Sequence, residues 1–276
     1  MNALHRLASL VESCLLPSVK GHDGHDGRLP DWLLRCLERG APGAAVHAYG
    51  PAARATADAL REALPDALTG HPGPRRHGDG AAAAAELVAA GANLHLGVRP
   101  GPRADETRVF VTDLQTHGVA AALGPFTGTG SLRPFAEGAA AGVRAITAGR
   151  SPVPDDSGLP ATLSAPAITG ILRGELGYRG VVVSHPLDTP SIIHGWGVPG
   201  AAVLAWIAGV DLLRLGPTSG EGVREAIHTA AARAVADGDL PLSRLEEAAE
   251  RVARLRRWAS EPRMPAAEPI TATRES

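Results

Sequence analysis

The chain has 276 residues, 44% of them hydrophobic, and a formal charge of −2. That is enough apolar material for one large domain with a substantial core. The near balance of charge gives no electrostatic reason to expect nucleic acid or an acidic membrane surface as partner. Two cysteines, Cys14 and Cys36, are too few for a disulfide framework and poorly spaced for a metal knuckle. Both read as small apolar residues in or near the core.

The opening MNALHRLASLVESCLLP has apolar residues at helical spacing, but His5, Arg6 and Glu12 deny it the uninterrupted run of a signal peptide. No stretch approaches the roughly 20 apolar residues that span a bilayer, so the expectation is a cytoplasmic protein without a membrane partner. Strand candidates follow at Cys14–Ser18, Ala45–Tyr49, Ala67–Thr69, Asn93–Val98, Val119–Phe126, Arg144–Ala148, Val181–Ser184 and Leu212–Leu215. Helical patterns separate them at Ala52–Leu64, Gly80–Ala90, Asp105–His117, Leu132–Ala141, Ala165–Leu176, Pro199–Ala208 and Ser219–Asp237. Gly91 and Gly118 close helices just before a strand. Ser164 and Gly177 bracket another as N-cap and C′ residues. Ser243 is placed to cap the last helix, LSRLEEAAERVARLRRW.

Eight strands, each followed by a helix-length segment, is the arithmetic of an α/β chain forming a single (β/α)8 TIM-type barrel with a C-terminal helix. A doubly wound open sheet is the competitor. Residues 1–259 are expected to form the barrel. Residues 260–276, rich in proline and polar side chains, are expected to be a disordered tail.

The most specific motif is PATLSAPAITGILRGELGYRGVVVS, Pro160–Ser184, followed by AWIAGVDLLRLG, Ala205–Gly216. Together they resemble glycoside hydrolase family 3, in particular its bacterial β-N-acetylhexosaminidase branch. Weaker segments upstream fall in the family's order, so the likeness runs over roughly residues 10–257 and favours the barrel over the open sheet. The matching residues are architectural: Gly177 and Gly180 punctuate a turn, and Leu172 and Leu176 pack a helix.

The resemblance also locates the chemistry, and there the chain departs from it. Retaining glycosidases need a carboxylate nucleophile close to an acid/base residue. In this family the nucleophile is the first aspartate of [ST]-D-D/A-L, and the matching position here is His185, in Ser184–His185–Pro186–Leu187. The family's KHFPGHG reads Gly124–Pro125–Phe126–Thr127–Gly128–Thr129–Gly130, and the acid–base segment after it is deleted. The histidine that ends the sixth strand is Gly149, followed by Arg150. DEEGGR reads Gly70–His71–Pro72–Gly73–Pro74–Arg75, in which Arg75 alone aligns with a family residue. The arginine-bearing insertion after the fourth strand is shortened to GVRPGPRADE.

His185 and Asp188 are therefore the catalytic candidates. The imidazole would act as general acid/base, with Asp188 or His194 orienting it. Arg75, Thr127, Thr129, Arg150 and His194 are the substrate-binding candidates, joined at the expected mouth by Lys20, His22, Tyr49, His71 and Arg99. If they converge, the pocket is cationic and hydroxyl-lined. FTGTG reads either as a hydroxyl- or phosphate-binding loop or as a connecting turn. Trp196, in HGWG, reads as a sugar-stacking ring or as packing. GHDGHDG, residues 21–27, offers His22, Asp23, His25 and Asp26 but lacks a ligand spacing, so no metal is expected, and no cofactor.

The expected ligand is a small molecule, a sugar or a sugar-derived metabolite. Three functions follow: a divergent enzyme with a rebuilt site, a non-catalytic sugar or metabolite sensor, and an ordinary β-N-acetylhexosaminidase.

Overall fold

A computed structural model describes residues 3–20, 29–38, 46–49, 53–73, 79–101, 103–154 and 156–261. The GHDGHDG loop, Arg75 and all of the expected tail beyond residue 261 lie outside them.

Helix α1 (Ala3–Ser13) leads into β1 (Leu15–Leu16) and β2 (Ser18–Lys20), two parts of one strand interrupted at Pro17, which has no amide to give to a ladder. Then come α2 (Asp31–Glu38), β3 (Val46–Tyr49), α3 (Ala53–Ala63), β4 (Thr69–His71), α4 (Gly80–Ala89), β5 (Leu94–Val98), α5 (Ala104–Thr116), β6 (Ala120–Phe126), α6 (Arg133–Ala140) and β7 (Ala145–Ala148). A π-wound helix, Pro166–Glu175, precedes β8 (Val181–Val183). The chain continues through α7 (Pro190–Ala208), β9 (Leu213–Arg214), α8 (Glu221–Asp237) and α9 (Leu242–Ser260).

Every ladder is parallel. Strands β2 to β8 pair in chain order, and β1 pairs with β9. A parallel bridge between Val183 and Leu212 joins β8 to the β9 segment, so the pairings run round to the first strand. This is the barrel arrangement expected from alternating strands and helices.

Side chains alternate across each strand. Leu94, Leu96, Ala120, Ala122, Ala145, Val181, Val183 and Leu212 fill the interior with Leu16 and Leu68, and Val252 and Leu255 of α9 pack on the same cluster. Ala121, Leu123, Ile146, Ala148, Val182 and Leu213 face the helices, in the cluster that also holds Phe110, Phe135 and Trp206. Both cysteines are buried.

Local chemistry sets the element ends. Asp79 Oδ1 accepts the amides of Ala81 and Ala82 at 2.9 and 3.0 Å, capping the alanine-rich α4. Ser164 Oγ accepts the Ala167 amide at 3.2 Å, and Gly177, at φ +62°, turns the chain out of the π-wound helix.

Four sequence expectations need correction. Ser243 caps nothing: α9 starts one residue earlier, behind Pro241, whose fixed φ already suits a helix entry. The strand expected at Ala67–Thr69 lies at Thr69–His71 as β4, shifted along by register with β5, where Gly70 faces Leu94. Helix α2, eight residues long, lies outside the expected helices. Helix α7 begins at Pro190, not Pro199, with a break at Gly197 (φ +65°, ψ 159°). Its 19 residues make it the one described helix long and apolar enough to cross a membrane by composition. Ile192, Ala201, Ala205 and Trp206 bury its inner face in the helix layer.

One buried ionic cluster pins the strands that carry the site. Asp211, fully buried, accepts Arg173 Nη2 at 2.5 Å and the Val182 amide at 2.9 Å through Oδ2. Its Oδ1 accepts Arg244 Nη2 at 2.5 Å and Arg251 Nη1 at 3.1 Å. The carboxylate thereby ties the entry to β9 to β8, the π-wound helix and α9.

Candidate functional site

The C-terminal ends of parallel barrel strands converge on one mouth, where enzymes of this architecture keep their chemistry. His185 follows β8 and is half-buried. Its Nδ1 lies 3.2 Å from the Pro186 carbonyl. A carbonyl only accepts, so Nδ1 carries the proton and Nε2 keeps its lone pair. Burial is the first cause holding the imidazole below its ordinary pKa. The Arg150 and Arg214 guanidiniums push the same way, while the Pro186 carbonyl and Asp188 oppose. His185 is therefore neutral at pH 7.

Asp188 has a different occupation. Its Oδ1 accepts the Gly216 amide at 3.0 Å, and its Oδ2 accepts the Thr218 amide at 3.1 Å and the Thr218 hydroxyl at 2.6 Å. The carboxylate staples the loop after β8 to the loop after β9. The expected orienting bond to His185 is taken by the Pro186 carbonyl instead.

Thr127 and Thr129, after β6, bond within their own loop: Thr127 Oγ1 donates to the Thr129 carbonyl at 3.0 Å, and Thr129 Oγ1 to Thr127 Oγ1 at 3.3 Å. This is the connecting-turn arrangement. Arg150 is exposed two residues beyond β7, and His194 is exposed on α7. Trp196 packs against the outer core cluster. His71 Nδ1 accepts the Gly73 amide at 3.0 Å, and burial lowers its pKa. Arg150 and Asp188 act on His185 electrostatically, while the hydroxyls of Thr127 and Thr129 bond within their own loop.

The sequence reading passed over Arg214 and Thr147. Arg214 lies on β9 two residues after the interior Leu212 and shares its face. Thr147 lies on β7 two residues after the interior Ala145, and its Oγ1 is buried without a hydrogen-bond partner. The signal for Arg214 was available in DLLRLG, where one charge interrupts an apolar strand at the inward position. Thr147, in AITA, carries no such mark.

Among the described residues, no group of three or more His, Cys, Asp or Glu side chains stands ready to hold a metal ion. A cavity of about 730 Å³ lies at the opposite end of the barrel, between α6, the turn after the π-wound helix and α9. At its edge Arg179 Nη1 donates to the Arg173 carbonyl in the last turn of the π-wound helix at 2.9 Å.

Comparison with known proteins agrees with the architecture. The model of the glycosyl hydrolase family 3 N-terminal domain matches residues 109–255. A "Beta-hexosaminidase" of Stenotrophomonas maltophilia (strain R551-3) is 36% identical over 104 residues, 38% of this chain and 30% of that protein. The structure of a family 3 β-N-acetylglucosaminidase from Paenibacillus sp. str. FPU-7 superposes with a TM-score of 0.73 at 21% identity, over 97% of this chain and 66% of that one. A β-N-acetylhexosaminidase from Beutenbergia cavernae DSM 12333 gives 0.72 at 19% identity, over 91% of this chain and 98% of its own. These two likenesses are likenesses of fold.

Proposed function

Since the chain belongs to the glycosyl hydrolase family 3 N-terminal domain family, we propose that it acts on a sugar or sugar-derived metabolite through a site rebuilt around His185. One observation carries the reading. The residue that follows β8 is a histidine whose Nδ1 faces the Pro186 carbonyl at 3.2 Å, and the carboxylate three residues on, Asp188, is held by three hydrogen bonds to Gly216 and Thr218.

Retaining hydrolysis needs a carboxylate at the anomeric carbon about 5 Å from a second carboxyl group. An imidazole attacking there would leave a cationic adduct and lose the electrostatic stabilisation of the oxocarbenium-like transition state. A neutral histidine with its Nε2 lone pair unprotonated suits a different task, taking a proton from a ligand hydroxyl or from water. The similar structures, named as a β-N-acetylglucosaminidase and a β-N-acetylhexosaminidase, make N-acetylhexosamine-containing sugars the first ligands to try.

A second reading, a sensor that binds the same ligands without turnover, has its own support: the Asp188 carboxylate that would orient a catalytic imidazole is engaged elsewhere.

The test is turnover of a panel of N-acetylhexosamine-containing sugars and sugar phosphates, followed by mass spectrometry, with wild type and His185→Ala. Turnover abolished in the variant, at unchanged circular dichroism, supports the enzyme. Ligand-induced stabilisation without turnover favours the sensor. Turnover unaffected by the substitution removes His185 from the mechanism.

A further inference from the structure

We propose that the base of the barrel, the end away from His185, carries a second binding site, for a phosphate monoester with a short apolar body. The proposal is independent of the reading of the mouth.

The cavity at that end is the first observation. Its volume, about 730 Å³, falls within the range of small-molecule sites. Arg144, Arg179, Arg251 and Arg254 line it, against a single lining carboxylate, that of Glu175. Ala136, Ala139, Leu176 and Leu255 supply its apolar wall.

The sheet brings two of the arginines together. Ala145 and Val181 are partners in the ladder between β7 and β8, so one step back Arg144 stands beside Gly180, next to Arg179. Hydrogen bonds fix this step. The Val181 amide donates to the Arg144 carbonyl at 3.1 Å, and the Tyr178 hydroxyl donates to the Val143 carbonyl at 3.3 Å. On its other side the Arg144 amide donates to Gln115 Oε1 at 2.9 Å. Helix α9 brings the third arginine. Arg251 is tied to Asp211 and Glu247, so it is closed to a ligand, but it anchors the helix that carries Arg254 to the cavity.

What each guanidinium already touches decides what the cavity can hold. Arg144 lies over the Trp258 ring, 4.6 Å from its centroid, a stacking that occupies its face and leaves its N–H edge. Arg179 uses Nη1 on the carbonyls of Arg173 and Tyr178; its Nε and Nη2 have no partner among the described residues. Arg254 has only Glu250 Oε1 at 3.5 Å, an oxygen that also accepts Arg257 at 3.2 Å. Guanidiniums only donate, so the ligand must supply acceptors. A carboxylate has two oxygens and is filled by one fork. A phosphate monoester presents three oxygens and a charge of about −1.5 to −2 at pH 7, which suits forks arriving from three elements. The apolar wall adds the requirement for a body beyond the phosphate.

The experiment is calorimetric titration of the whole chain with phenyl phosphate, inorganic phosphate, benzoate and phenol, each at low and high salt. Phenyl phosphate should bind about tenfold more tightly than any of the other three, and added salt should weaken it. Arg144→Met, which keeps a stem over Trp258, and Arg254→Met, at an exposed position, should each weaken it by about tenfold. Arg144→Lys, which keeps the charge but not the fork, should fall between wild type and Arg144→Met, with circular dichroism checking the fold of every variant. Glu175→Gln removes the competing carboxylate and should tighten binding, while His185→Ala should leave it unchanged.

Inorganic phosphate binding as tightly as phenyl phosphate overturns the apolar body, and benzoate doing so overturns the phosphate. Binding lost in His185→Ala but kept in the arginine variants puts the anion at the mouth and overturns the site. Binding by none of the four probes overturns the proposal and leaves the reading of the mouth standing.

Discussion

Asp188 and Gly216 are built around one another: the carboxylate accepts the glycine amide at 3.0 Å, and a Cβ added at Gly216 would sit 2.1 Å from Asp188 Oδ1. The contact binds the loop after β8 to the loop after β9, and those strands carry His185 and Arg214. Removing the carboxylate by Asp188→Ala leaves the amides of Gly216 and Thr218 and the Thr218 hydroxyl without their acceptor. The predicted loss is about 1–3 kcal/mol by urea denaturation. Gly216→Ala should also destabilise, through collision. Because both changes act on one contact, the double variant should lose less than the sum of the singles. Additive losses would show that the two residues do not depend on each other.

A larger loss is expected at the other end of the same strands. Asp211→Asn keeps the shape of the side chain but leaves Arg173, Arg244 and Arg251 around a neutral amide in a buried setting. Breaking a buried ion pair from one side costs about 3–5 kcal/mol. Denaturant unfolding checks it, and a loss below about 1 kcal/mol would show that the arginines find water or other partners.

The pH dependence has a definite sign. His185 and His71 both sit below their ordinary value of 6.5 in the folded chain, chiefly through burial. As pH falls through 6.5 the unfolded chain takes up protons first, so stability is complete above that value and is lost below it. Melting curves between pH 5 and 8 should show this decline, and His185→Gln should make it shallower. Parallel curves for the two proteins would mean that His185 titrates normally.

The two thiols should differ in reactivity. Cys14 is fully buried, and burial, with Asp211 nearby, pushes its thiol far above the ordinary range. Cys36 is less deeply buried, and its Sγ accepts a hydrogen bond from Arg224 Nη2 at 2.6 Å. Alkylation read by peptide mass mapping should label Cys36 first, and Arg224→Gln should slow that labelling. Equal labelling of both cysteines in the folded protein would contradict this.

Much of this protein is legible in its sequence. Eight apolar runs with helical patterns between them fix the strand order, since a strand buried on both faces reads as continuous valine, leucine and alanine, as in Val181–Val183. Glycine punctuation gave Gly91, Gly118 and Gly177 correctly, and each takes a positive φ. The start of α7 was obscured because Gly197 breaks its pattern midway. The site was harder to read. His185 stood out through the motif it interrupts. The bond between Asp188 and Gly216 spans 28 residues of sequence, and no local pattern announces it. Arg214 runs beside the segment after β8 only because Val183 and Leu212 are bridged and its carbonyl accepts the Leu187 amide, a relation that exists in the sheet and not along the chain.

The proposed loss of ordinary hydrolysis is tested most directly with 4-nitrophenyl N-acetyl-β-D-glucosaminide. If His185 has replaced the attacking acid and Asp188 is only a staple, the protein should release no nitrophenol above the buffer blank between pH 5 and 8. Release at about 1 s⁻¹ or faster, within the usual range of enzymes, and abolished by Asp188→Ala at unchanged fold, would contradict the account.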